Sequence, residues 1–131
     1  MKYMLMFSAK KEGFEWYSKW PKEDLQANMV FMRKIAKELS DEGILIQTAG
    51  LAWPDHAVIV QADANGQPIT DGVFPESKEF LAGYWLIDVE NAEEAYKVAA
   101  RISMAPAPAG TPGHMPLEVR EVMDRAPDDL C

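Results

Sequence analysis

The chain has 131 residues, 48% of them hydrophobic and 26% charged, the composition of one globular domain long enough to bury a core. Lysine and arginine number 13 against 21 aspartates and glutamates, a formal net charge of -8. Such a surface repels phosphate backbones and anionic bilayers, and no basic stripe interrupts it, so neither nucleic acid nor a membrane is an expected partner. The opening MKYMLMFSAKKEGF has too short an apolar run for a signal peptide, and no stretch approaches the length of a membrane span. The single cysteine, Cys131, has no mate within the chain, which suits a reducing, cytoplasmic setting.

Lys2 to Ser8 carries Tyr3, Met4, Leu5, Met6 and Phe7, a short run apolar on both faces that reads as a strand. An aromatic loop, FEWYSKW, follows, and Pro21 suits the first turn of a helix. Leu25, Met29, Met32, Ala36 and Leu39 fall on one helical stripe, widened by Phe31 and Ile35, with Gly43 as its stop. Ile44 to Gln47 reads as a second strand. Ala57 to Gln61 is a β-branched strand entering a hairpin at Asn65-Gly66, with a short return near Pro68 to Asp71. Tyr84 to Val89 is the strongest strand of the sequence. Asn91 and Glu94 form a capping pair for a second helix with Ala95, Val98, Ala99 and Ile102 on its apolar face. Four prolines and two glycines in Ser103 to Pro116 bar its continuation, and Leu117 to Met123 is the last strand.

The order predicts an α+β fold: a ferredoxin-like split βαβ with an extra β-hairpin, in one domain over residues 1–124 with a frayed tail, 125–131. Two helices cover only one face of a sheet, yet the first strand and Tyr84 to Val89 are apolar on both. A second copy packed sheet to sheet is the expected cover, making a homodimeric α+β barrel. In the last strand, Leu117 and Val119 facing the helices would turn Glu118 and Arg120 toward the dimer interior, where charges must be paired or wet.

The candidate site residues cluster around DGVFPESKE. Asp71 is either a general base or a turn-forming carboxylate. Glu76, Lys78 and Glu79 either line a cleft, with Lys78 receiving an anionic group, or form a solvated loop. Glu118 and Arg120 either orient a ligand, arginine gripping a carboxylate with two parallel hydrogen bonds, or fix the sheet and dimer. His56 follows Asp55, so an acid/base dyad is conceivable, although neighbours on an extended chain point to opposite faces. His114, in the proline-rich loop, is a lid residue or an exposed histidine. Trp16, Tyr17 and Trp20 wall a pocket or close a core edge. The histidines have no metal-ligand spacing, and there is no phosphate loop, nucleophile elbow or redox cysteine pair. No cofactor is expected.

From MKYMLM through DGVFPESKE and LAGYWLIDV to LEVREV, the chain resembles the YCII-related superfamily, and within it the DGPF-domain branch. That signature falls on Asp71, Gly72, Phe74, Glu76, Lys78, Glu79 and Gly83, and a closing Glu-Val-Arg on Glu118, Val119 and Arg120; Val73 replaces the signature proline. The resemblance implies a ferredoxin-like dimeric barrel with a cleft. It also points to two functional settings: a related branch includes a dehydrochlorinase with a proposed His/Asp pair, and some DGPF members are encoded beside, or fused to, extracytoplasmic-function sigma factors. The histidine of the enzyme branch has no counterpart in the first helix of this chain. Two functions are therefore expected: a small-molecule cleft near the dimer interface performing acid/base, lyase-type chemistry with Asp71 as base, or a non-catalytic module that binds a protein partner such as a sigma factor.

Overall fold

The computed structural model describes residues 1–72 and 78–123. In chain order they form β1 (Lys2–Ala9), α1 (Lys11–Ser18), α2 (Lys22–Asp41), β2 (Leu45–Gly50), β3 (Val58–Ala62), β4 (Pro68–Gly72), β5 (Phe80–Asp88), α3 (Ala92–Ser103) and β6 (Glu118–Glu121). Two short 3-10 turns, Pro54–His56 and Pro108–Gly110, interrupt the connections. The result is a mixed α+β chain with three helices, one four-stranded antiparallel sheet in the order β2-β5-β1-β6, and a separate β3-β4 ribbon. No barrel is closed among the described residues. Glu76 and Phe74 of the signature, the tail and Cys131 lie outside them.

The core forms where period-2 strands meet period-3.6 helices. Tyr3 and Leu5 of β1 and Trp85 and Ile87 of β5 are buried against Ile35 and Leu39 of α2 and Ala95, Val98, Ala99 and Ile102 of α3. Leu5, Leu39 and Ile87 are fully enclosed. The expected stripe on α2 holds at Phe31, Met32, Ile35, Ala36 and Leu39, which lie in or pack on this core, and departs at Met29, which is 46% exposed. Gly43 stops α2 at φ 76°, with its N–H donating to Ser40 O and that of Ile44 to Leu39 O. These two bonds satisfy carbonyls that the helix end leaves open. Asn91 Oδ1 accepts from Glu94 N at 3.0 Å and opens α3.

The expectation of only two helices is wrong at residues 11–18, where a loop was expected. KEGFEWYS contains no proline, Glu12 favours the positive end of a helix, and Phe14 supplies a buried anchor. The dense aromatic run hides this period, because Trp16 and Tyr17 are largely exposed and stack with the buried Trp20, at ring centroid distances of 5.0 and 4.9 Å. The proline-rich segment is also tied down. Ser103 Oγ donates to Met115 O, Gly113 N to Ala105 O, and Ala107 N to Thr111 O.

Cross-strand register sorts the sheet's other face. Met4 pairs with Leu86 on one side and Arg120 on the other, and Met6 with Tyr84 and Glu118. Partners directly opposite share a face, so this side presents a half-buried apolar stripe, Met4, Met6, Tyr84 and Leu86, bordered by the exposed Glu118 and Arg120. Leu117 and Val119 pack toward the helices.

Candidate functional site

Past the ends of β2 and β5 the chain turns through Trp53 and the 3-10 turn Pro54–His56 before entering the ribbon. Pro54 anchors this turn in a buried position, where its fixed φ suits a helical first residue. Opposite lies α1. Between them is an open hollow of about 600 Å³ lined by Lys11, Phe14, Glu15, Trp53, Asp55 and His56, and floored by Val58 and Gly72 at the ribbon base. A second hollow of about 270 Å³, lined by Leu51, Leu81 and Phe80, shares Trp53, His56 and Ala57 with the first. Phe14 and Trp53 meet at 5.9 Å between ring centroids, tilted by 58°.

Four ionisable side chains therefore converge beside two aromatic rings. The Lys11 ammonium lies 4.0 Å from Glu15, one helical turn on. The Nε2 of His56 lies 3.7 Å from Asp55 Oδ2, with both side chains well exposed. This corrects the expectation that Asp55 and His56 point apart. That rule holds for extended backbone, where successive side chains point about 180° apart; in the 3-10 turn here they are separated by only about 120°, which lets neighbouring side chains meet.

Asp71 is placed differently. In the ribbon, Val58 pairs with Gly72 and Ile59 with Asp71. Side chains alternate along a strand, so the face that floors the hollow carries Val58 and Gly72, while Asp71 projects from the opposite face with Ile59. The fold thus brings His56 to the hollow and turns Asp71 away from it. The Lys78 ammonium sits 5.6 Å over the Phe80 ring, which puts it at the border of the smaller hollow. Glu79, between them in sequence, is exposed. Glu118 and Arg120 belong to the open sheet face, and His114 is exposed at φ 49° in the tied loop. Among the described residues no three His, Cys, Asp or Glu side chains gather as a metal-ligand set, and no helix is long and apolar enough to cross a membrane.

Reading the sequence missed Lys11, Phe14, Glu15 and Trp53. The first three sit at i, i+3 and i+4, one face of a helix, and become visible once residues 11–18 are read as helical. Trp53 carries no periodic signal.

The comparisons with known proteins bear on the whole domain. An uncharacterised protein of Rhizobium meliloti (strain 1021) is 30% identical over 113 residues, covering 86% of this chain and 87% of that protein. The model of the YCII-related domain matches residues 1–123, from β1 through the hollow and the open sheet face to the end of β6. The chain belongs to the YCII-related domain family.

Proposed function

We propose that this protein binds a small organic molecule in the hollow between α1 and the ribbon base, and that His56 moves a proton there with Asp55 beside it. The carrying observation is the convergence of Lys11, Glu15, Asp55 and His56 on an open cavity walled by Phe14 and Trp53. An apolar wall with a few convergent polar groups is the usual makeup of a ligand site, and histidine exchanges protons near neutral pH without a metal. The reaction class that fits is lyase-type elimination: His56 takes a proton from carbon, the electron pair forms a double bond, and the bond to the leaving group on the neighbouring carbon breaks so that the group departs with its own pair.

Several finer features belong to this reading. Asp71, Gly72, Lys78, Glu79 and Gly83 support membership of the DGPF branch. The order β2-β5-β1-β6 supports a ferredoxin-like plan with the ribbon as an insertion. The apolar stripe of Met4, Met6, Tyr84 and Leu86 supports a homodimer closed sheet to sheet, with Glu118 and Arg120 at its border. In that dimer Asp71, turned from the hollow of its own chain, and the Lys78–Glu79 pair are available to a cleft near the two-fold interface.

A thermal-shift screen with small amines, carboxylates and phenols tests the site. A ligand at a hundred times its dissociation constant adds about 2.7 kcal/mol, enough for a shift of several degrees. Shifts that persist in Asp71→Asn and vanish in Trp53→Ala place the ligand in the hollow; His56→Asn should keep binding and lose turnover. Shifts that vanish only in Asp71→Asn would move the site to the other ribbon face.

One observation favours the second reading, a non-catalytic module holding a protein partner such as a sigma factor. Val58, Ile59, Val60 and Ile69 of the ribbon are each about half exposed. A Val60→Lys variant that loses a partner while keeping ligand shifts would establish it.

A further inference from the structure

We infer that the larger hollow selects an organic cation: a protonated amine or quaternary ammonium carried on a small apolar body. This rests on the reading of that hollow as a ligand site and adds the charge of what it takes.

Among the described residues, two carboxylates, Glu15 and Asp55, line the hollow against one permanent cation, Lys11. The Lys11 ammonium lies 4.0 Å from Glu15. Asp55 has His56 at 3.7 Å, which adds a positive charge only when protonated. The cavity therefore carries an excess of negative charge within a chain of net charge -8, and a field of that sign raises the local concentration of cations and lowers that of anions. The wall suits the same ligand. Trp53 is 40% exposed and is backed by the buried Phe14, and an indole face is the best of the aromatic surfaces for an ammonium group. On Phe80, which lines the adjoining hollow, the chain seats a cation of its own in this way, with Lys78 Nζ 5.6 Å from the ring centroid. An amine headgroup between the Asp55 carboxylate and the Trp53 ring, with its apolar body against Phe14 and Val58, uses every side of the cavity.

Three probes with one phenyl body separate charge from shape: benzylammonium, benzyl alcohol and benzoate. Their dissociation constants are measured by ligand-observed NMR at low and high salt. The expected order is benzylammonium tighter than benzyl alcohol by roughly tenfold, with benzoate weakest, and the spread narrowing in high salt. Asp55→Asn, at an exposed position, should erase most of the amine's advantage while leaving benzyl alcohol unchanged, and Trp53→Ala should weaken both. Benzoate equal to or tighter than benzylammonium, or an amine preference that survives Asp55→Asn combined with Glu15→Gln, would overturn the cation assignment and leave the ligand site standing. Failure of all three probes to bind would overturn the site and its charge preference together.

Discussion

Gly83 lies opposite Gly50 in the β2–β5 pair, and a Cβ built on it would meet the Ala49 carbonyl oxygen at 3.1 Å. That atom is backbone and cannot swing aside, so Gly83→Ala should force the strands apart and cost about 1–3 kcal/mol, read from the urea midpoint. Arg101 acts across elements rather than within one. Its guanidinium donates to Glu42 Oε2 at 3.2 Å and Glu38 Oε2 at 3.1 Å, joining α3 to α2. The hydrogen bond it donates to Glu42 raises its pKa above the usual arginine value, with Glu38 adding to this. The side chain is 36% exposed, so Arg101→Met should cost about 1 kcal/mol or less, and less still in high salt. Tyr3 makes an alkaline prediction. Burial, then the Glu121 carboxylate and Tyr96, push its phenol above the ordinary value of 10.0. A group raised in the folded state stabilises fully below its unfolded pKa and stops doing so as pH climbs through the folded one. Stability should therefore fall above pH 10, and Tyr3→Phe should flatten that limb of the denaturation profile.

Among the elements, the helices and the ribbon are specified in different ways. The Asn91 side chain occupies one of the four N–H groups that the start of α3 leaves open, so Asn91→Ala should cost about 1 kcal/mol in global unfolding. The ribbon is closed by Asp63, whose Oδ1 accepts from Asn65 N and Gln67 N while its own N–H donates to Gln67 O. Gly66 completes this loop at φ 79°, a region that disfavours a Cβ by about 1–2 kcal/mol. Since the ribbon pairs with no other strand among the described residues, Gly66→Ala should speed hydrogen exchange in β3 and β4 and leave β1 and β5 protected. α1 was illegible as a helix because its exposed rings imitate core positions, and only the burial of Phe14 shows which face turns inward.

At the scale of the molecule, the open face of the four-stranded sheet carries the prediction with the clearest readout. Leu86 and Met4 sit side by side in its apolar stripe. If a second copy covers them, sedimentation equilibrium should give twice the chain mass of 14.7 kDa, and Leu86→Asp should return the monomer, since a carboxylate stranded in a dry interface is costly. The main sheet and its two packed helices were readable because β1 and β5 are short runs apolar on both faces, whose length marks them as strands, and α2 and α3 are long enough to show a helical period. The site was less readable. His56 was visible as a candidate, but its apposition to Asp55 depends on a 3-10 turn that alternation rules do not anticipate, and Asp71 was a candidate beside it although ribbon register puts Asp71 on the face opposite Val58 and Gly72, which line the hollow.

Local physics written in short stretches determined much of this protein from sequence alone: the order of the strands and of helices α2 and α3, the glycine stop after α2, the asparagine start of α3, the acidic surface. Each depends on residues within a few positions of one another, and on periods that burial enforces. What only tertiary structure decided is which residues meet. The hollow draws Lys11, Phe14 and Glu15 from one helix, Trp53 to His56 from a turn, and Val58 and Gly72 from the ribbon. These segments are joined by backbone crossings whose lengths and angles no side-chain pattern encodes. Their convergence is set by how the ribbon leaves β2 and how α1 leaves β1, and so by the packing of the whole domain.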